Sequence, residues 1–530
     1  MIDRLRALPA WLRCSLALLA GVPAAFGFAP HGWWPLTLAS ASALSLLSLT
    51  APRARVALLT GYCWGLGFLG PALRWMSVIF VEAMLGLVAM EALFFAILGL
   101  GLWLIRHRRA WPLIAAGLWL VVEFSYARVP FEGFGWMRLA YAMIDTPLAG
   151  FLPLVGVPGV SLLTALVAQL PAWWLLARPS RRSGGLVAGG VALLLALGAV
   201  AITWTPAAGT ESVRVGYVQG NAPGGGIYGL GEARTITRNH VDETARLMAA
   251  VDAGSLPRPD FVVWPENGTD VDPFLDAPTA SLVKRARDLV GVPLLIGSIT
   301  DGPGPNERQT AALWFDPTLG VTARYNKRNI VPFGEWVPYR SLLEPLFPVV
   351  RYVGPQSVPG TVPGVLRVSV ADKPLSVGDL ICFEVAFDGT VRDTVTNGAE
   401  VLLVQSSNAM YTGTDQVHQQ FAITRARAAE LRREILVVTT TGFSGLIRPD
   451  GSVALRLPEH VPASGVVDLP RRTTLTPAVT LSAGLELAVL LATLIALAWP
   501  VVRRSGGGRR TGRVAAVRQN SETHRLPEDT

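Results

Sequence analysis

The chain is predicted to fold as a polytopic α-helical membrane domain of about eight transmembrane helices carrying a layered α/β domain outside the bilayer. Three observations predict this. Of 530 residues, 51% are hydrophobic and 16% charged, with a mean hydropathy of +0.41, too apolar for an ordinary soluble enzyme. Eight apolar stretches approach the roughly 20 residues that a helix needs to cross a hydrocarbon core. Between 206 and 474 no such stretch exists, and short β-rich runs alternate with helical patterns instead.

The apolar stretches lie near 12–30, 33–51, 56–80, 83–105, 110–127, 148–177, 186–205 and 475–502. They divide the chain into a seven-helix membrane domain (1–205), a globular domain (206–474), an eighth span (475–502) and a tail (503–530). Because short cytoplasmic loops carry excess Lys and Arg, the basic residues set an orientation. Arg4, Arg6 and Arg13 precede the first span, Arg53 and Arg55 follow the second, Arg106, Arg108 and Arg109 follow the fourth, and Arg178, Arg181 and Arg182 follow the sixth. With these alternate loops inside, the globular domain is extracytoplasmic and both termini are cytoplasmic; Arg471 and Arg472, before the last span, count against the rule. The opening MIDRLR and its apolar run read as an uncleaved first helix rather than a signal peptide. The Gly/Arg-rich tail is expected to be disordered. Although the net charge is +8, the basic residues are not gathered on one face, so nucleic acid is not expected as a partner.

Within the globular part, 213–218, 261–264, 293–298, 312–315, 374–382, 401–405 and 435–441 read as strands. Helices are expected near 232–253, 278–290, 384–397 (ended by Gly398) and 415–433. This alternation predicts stacked sheets covered by helices.

Three polar residues stand out, two where these elements end and one in a stretch with few helix or strand formers, suited to a tight fixed loop. Cys382, in DLICFEVAF, falls where a strand is expected to run into a helix, so that unpaired N–H groups and the helix dipole would favour a thiolate. It is either a nucleophile or a small apolar filler of a buried strand. The other cysteines, Cys14 and Cys63, lie in expected spans and offer it no partner. Glu266 follows FVVWP at a strand end and is either a general base or a solvated loop residue. Lys327, in YNKRNIVPFGEWVPY, either stabilises a thiolate and an oxyanion or sits in a basic surface turn beside Arg324 and Arg328. The six histidines show no metal-ligand spacing, and no Gly-rich phosphate loop precedes a helix, so neither a metal nor a nucleotide cofactor is expected.

WPE, YNK with VPFGEWVP, and CFE, in that order, resemble the Glu, Lys and Cys triad of the carbon-nitrogen hydrolase (nitrilase-like) superfamily. FGFAPHGWWPL (26–36), FGWMRLAYA (134–142) and VGYVQGN (215–221), with the flanking spans, extend the resemblance to one family, the apolipoprotein N-acyltransferases. The resemblance implies a nitrilase-like α-β-β-α sandwich outside the bacterial inner membrane. It makes Glu266 the base, Lys327 the oxyanion stabiliser, Cys382 the nucleophile and Glu335 a support for the lysine. Glu384 becomes a supporting residue able to orient the elbow. It implies no cofactor and a ping-pong transfer through a thioester, from a membrane phospholipid to the α-amine of an S-diacylglyceryl cysteine on an apolipoprotein. The expected partners are those two substrates and the bilayer, and the expected state is a monomer. Where relatives often carry an aromatic, this chain has Met410 and then Tyr411, so the substrate loop departs from the pattern. The lipid entrance is sought in 128–155, 221–231 and 408–415, with Trp136, Tyr228, Met410 and Tyr411 as candidate contacts; an ordinary interfacial belt is the alternative. His418 and Arg425 are expected to pack. Two rival readings are a membrane-tethered amidase acting on small amides and a transporter or scaffold. Glu82, Glu91 and Glu123 form no evident relay for the latter.

Overall fold

The computed structural model describes residues 2–207, 209–226 and 229–507, of which 499–507 are described as backbone alone. Tyr228 and most of the expected disordered tail (508–530) lie outside the described residues.

Helices occupy all eight apolar stretches. A short α1 (Ile2–Arg6) leads into α2 (Ala10–Ala25), α3 (Trp34–Leu49), α4 (Ala54–Ala72), α5 (Val81–Ile105), α6 (Trp111–Tyr126), α7 (Leu152–Ala177) and α8 (Arg181–Ile202), and the last helix covers Pro477–Gly507. Among the described residues, four helical stretches are long and apolar enough to cross a membrane: α5, Pro147–Ala177, α8 and Pro477–Ala498. The apolar helices α2, α3 and α6 stop at 16 residues each. The expected count of about eight full-length spans is therefore corrected to four by length and composition. Part of the difference has a local cause, since residues 74–78, read as part of the third span, form a 3-10 turn and leave α4 at 19 residues. The last helix also runs five residues past its expected end at 502, as propagation from a long helix requires no new nucleus. Cys14 and Cys63, expected to offer Cys382 no partner, meet each other side chain to side chain as free thiols.

The chain between these helices forms β1 (Ser212–Gln219), α9 (Thr235–Asp252), β2 (Phe261–Val263), α10 (Ala277–Val290), β3 (Leu294–Asp301), β4 (Glu307–Asp316) and β5 (Gly320–Asn326). It continues through α11 (Arg340–Leu346), β6 (Gln356–Ser357), β7 (Val365–Val370), β8 (Lys373–Ile381), α12 (Asp388–Thr396), β9 (Val401–Ser406) and α13 (Asp415–Leu431). Strands β10 (Ile435–Thr439), β11 (Gly445–Ile447), β12 (Val453–Arg456) and β13 (Ala463–Pro470) then lead to the last helix, α14. One sheet runs β13-β1-β2-β3-β4-β5 with β6 beside β4, and the other runs β12-β11-β10-β9-β8-β7. β1, β2 and β3 are parallel neighbours, as are β8, β9 and β10.

Their inner faces meet through Val215, Val263 and Leu295 on one sheet and Val377, Leu403 and Val438 on the other. Outside the first sheet, α9 and α10 cover Val262 and Leu294 with Val241, Leu247 and Val283. The second sheet is covered by α12 and α13, and this layer also touches the membrane helices. Leu402, Val404, Val391 and Ile423 belong to one apolar cluster with Trp75, Leu139 and Val157. The order is thus α-β-β-α, with one helical layer shared between the sandwich and the bundle.

Buried charges fasten that shared layer. Arg138, after α6, donates to Asp388 at 2.6 Å and to Glu123 of α6 at 3.3 Å. Arg427 of α13 donates to Asp388 at 2.7 Å, to Glu430 at 2.6 Å and to the Val385 carbonyl at 2.7 Å. Helix α7 kinks at Gly156 (φ 69°), where a Cβ would lie 2.8 Å from Ser482, and Glu430 accepts the neighbouring Val157 N–H at 3.0 Å. Glu123 thus belongs to this network of ion pairs.

Replacing Arg427 by Met would strand Asp388 and Glu430 in a dry interface, a loss on the order of 3–5 kcal/mol. A markedly lower thermal unfolding midpoint in detergent is expected, with partial recovery in Arg427→Lys.

Candidate active site

The ends of β2, β5, β8 and β9 meet on one rim, where the parallel strands of both sheets finish, the usual place for a site in such sheets. Glu266 follows β2, Lys327 follows β5, Cys382 follows β8, and Ser406 ends β9. Since Ile381 pairs with Gln405, Ser406 comes to lie beside Cys382, and its hydroxyl reaches the thiol. Glycine at 297 lets β3 back against the Glu266 loop, for a Cβ there would stand 2.6 Å from the Glu266 Cα.

The structure brings Glu266, Lys327, Glu335 and Cys382 together. Lys327 Nζ donates to Glu266 Oε1 and to Glu335 Oε1, each at 2.9 Å. Both carboxylates are held in turn: Glu266 Oε2 accepts the Ser407 N–H at 2.9 Å and Glu335 Oε2 the Val331 N–H at 2.8 Å. Burial alone would push the Lys327 ammonium toward its neutral form. Glu266 first and Glu335 next outweigh it and hold the lysine well above its ordinary value. Lys327 is thus a fixed cation with no lone pair to take a proton, which leaves Glu266 as the group able to act as base.

Cys382 is placed differently from its expectation. It opens a 3-10 turn (Cys382–Ala386), and α12 starts only at Asp388, so no α-helix N-terminus faces the sulfur. Burial and then the Glu266 carboxylate push the thiol up to about 12, against the pull of Lys327 and Ser406. The expected preference for thiolate is therefore reversed: the neutral thiol rests at physiological pH. The residue has φ 54°, a left-handed conformation that costs a non-glycine residue about 1–3 kcal/mol. What over-determines it is Glu384, buried beneath the turn. Its Oε2 accepts the Ile381 N–H at 2.7 Å, and its Oε1 accepts the Tyr325 hydroxyl and the Arg328 N–H, each at 2.6 Å. One carboxyl thereby ties the nucleophile turn to the lysine loop.

The remaining expected residues divide. Tyr411 stands over the site, close enough to feel the charges of Cys382, Glu335 and Lys327, with its ring edge-on to Trp75 at 5.4 Å. Met410 accepts the Gly226 N–H through its carbonyl at 2.9 Å, so the loops 221–231 and 408–415 touch. Trp136 is only 2% exposed, stacked with Phe134 and Phe383, and its indole N–H bonds Gln419 at 2.9 Å. His418 packs edge-on against Phe443, and Arg425 pairs with Asp145. Sequence reasoning missed Tyr325, in a strand that it did not expect, and Ser406, at the end of one that it did, and it missed an apolar cleft of about 330 Å³ beside the site. Phe80 and Met90 line the cleft on the bundle side, Phe131 and Phe134 in the loop after α6, and Phe333 and Phe347 on the sandwich side. Phe134 also stacks on Phe383, the residue next to the nucleophile, at 5.8 Å.

Residues 20–170 match the family model of the apolipoprotein N-acyltransferase N-terminal domain, and residues 240–474 match that of the carbon-nitrogen hydrolases. The chain is 33% identical over 487 residues to the apolipoprotein N-acyltransferase of Mycolicibacterium smegmatis, covering 88% of this chain and 81% of that one. Its identity to the protein of that name from Nitrosomonas europaea is 30% over 481 residues, covering 84% and 89%. For the one from Haemophilus influenzae it is 26% over 471 residues, covering 84% and 87%.

In the lipid-free protein, alkylation of Cys382 by a small maleimide, followed by peptide mapping, is expected to rise nearly tenfold per pH unit between about pH 7 and 10. A plateau near pH 8.5 would mark an ordinary accessible thiol.

Proposed function

The chain belongs to the apolipoprotein N-acyltransferase family, and we propose that it moves an acyl chain from a membrane phospholipid to the α-amine of a diacylated apolipoprotein. The observation that carries this reading is the placement of a thiol, a buried Glu–Lys–Glu cluster and an apolar cleft on the one rim that faces the membrane helices. In this reading the apolar helices sit in the inner membrane and the sandwich lies outside it.

As the Cys382 sulfur attacks a phospholipid ester carbonyl, Glu266 takes its proton, and the S–C bond forms. The ammonium of Lys327, pinned by Glu335, faces the negative charge that develops on the carbonyl oxygen. When the ester C–O bond breaks, Glu266 returns the proton to the departing lysophospholipid and a thioester remains. The apolipoprotein amine then attacks that thioester, loses a proton to Glu266 and becomes an amide, while the sulfur leaves and is reprotonated. Because the resting sulfur is a thiol, proton removal accompanies attack, and the free enzyme exposes little thiolate to other electrophiles. The cleft receives the acyl chain, each methylene of which gains about 0.8 kcal/mol on leaving water. A water-excluding wall of this kind also protects a thioester from hydrolysis. The relatives support acyl transfer over the amidase reading, and a soluble small amide would have no use for such a cleft.

Intact-mass measurement tests both half-reactions. Incubation with a phospholipid of defined chains is expected to add one acyl mass to the wild type and none to Cys382→Ala. A diacylated lipopeptide should then remove that mass and gain it as an amide. The same adduct on the alanine variant would overturn the assignment.

A further inference from the structure

The apolar cleft beside the active site has a polar floor. Along α5 its wall is a single helical stripe that begins at Glu82, passes Gly86 and Leu87, and ends at Met90 and Glu91. Every other lining segment, such as the loop carrying Phe131 and the excursion carrying Phe347, belongs to the outer side of the molecule. Glu91 is therefore the deepest residue of the cleft, nine positions below Glu82, or about 13 Å along the helix axis. Its side chain is 3% exposed, and among the described residues Glu91 Oε1 has no hydrogen-bond partner.

A carboxyl group inside a membrane helix is costly and calls for a use. Glu123, on the neighbouring helix, has one in its pair with Arg138 and its bond from the Leu139 N–H at 2.8 Å. Glu91 has neither an arginine nor a backbone donor, and one of its carboxyl oxygens faces no protein donor at all. Against it lies a void of about 10 Å³ closed by Leu69, Phe95, Tyr126, Phe134 and Met137, no larger than about one water molecule. An alkyl chain descending the cleft therefore meets first a carboxyl and then a wall.

We infer that Glu91 sets the upper length of the acyl chain that this enzyme transfers; the inference rests on the reading of the cleft as the acyl site. Chains whose last carbon stops above Glu91 exchange water for apolar wall along their whole length. A longer chain must crowd the carboxyl without offering it a hydrogen bond, so its extra methylenes gain nothing. Leucine at this position would remove the polar stop, and alanine would also join the cleft to the void behind it.

The test is a competition. Full-length enzyme in detergent micelles receives an equimolar mixture of phospholipids with one head group and chains of graded length, together with a diacylated lipopeptide. Mass spectrometry of the lipopeptide then reads which chain was transferred. Glu91→Ala is expected to move the cut-off to longer chains, favouring each newly accommodated methylene by about fourfold. Glu91→Gln, which keeps size and polarity, should retain the wild-type cut-off. Should the alanine variant fail to accumulate, Leu87→Trp, one turn above, must shift the cut-off to shorter chains. An alanine variant with the wild-type profile, or a Leu87→Trp profile unmoved, overturns the inference. A further arm separates it from the reading beneath it: Gly86 faces open space in the cleft, and Gly86→Trp should depress transfer of every chain length. If it does not, the cleft is not the acyl site; if it does while Glu91→Ala keeps the wild-type profile, only the role of Glu91 falls.

Discussion

Asp388 is the ion on which the architecture turns. It opens α12, just past the nucleophile turn, and receives one guanidinium from the membrane side, Arg138, and one from the sandwich, Arg427. Burial alone would protonate it, but the two arginines hold its carboxyl well below the usual carboxylate range. The same Arg427 grips the Val385 carbonyl three residues after Cys382, so docking and the shape of the nucleophile turn share one set of bonds. Without these bonds the layer of α12 and α13, packed on two sides, would rest largely on apolar contact, which is non-directional and fixes no register. The ion pairs supply the direction, at the expense of desolvation that only full pairing offsets.

A second economy of charge operates within the site. Two carboxylates flank one ammonium, and the thiol faces that group across a rim it shares with Ser406. With the lysine locked as a cation and the thiol kept neutral, Glu266 is left as the carboxylate of this cluster through which protons can pass. Glu384 stands outside this traffic. It is occupied by the Ile381 and Arg328 N–H groups and the Tyr325 hydroxyl, and it stabilises a backbone conformation that a cysteine would not adopt unaided.

Much of this was legible in the chain, for identifiable reasons. The strands read correctly, such as β1, β3 and β9, are buried on both faces and so appear as unbroken apolar runs. β5, β7 and β13 were missed because they alternate buried and exposed positions near sheet margins, where GVTARYN or VLRVSV resembles a loop as much as a strand. Glu266 and Cys382 stand where expected strands end, Lys327 lies in a stretch that reads as a tight loop, and these signals are local. The α12 boundary was misread because a 3-10 turn held by Glu384 stands where a helix start was expected. Arg138 and Asp388 lie 250 residues apart, and no pattern within one chain announces such a pair. The cleft was invisible for the same reason, since its walls come from three distant segments.

The position of α14 bears on how the molecule is made. This helix follows every described strand of the sandwich, yet it packs against α6, α7 and α13, and its Glu486 holds Arg128 at 2.8 Å. β13, just before it, closes the first sheet by pairing with β1, the first strand of the sandwich. The sheet and its docking surface are thus both closed by segments distant in sequence, so neither can form until the whole stretch from β1 to α14 is available.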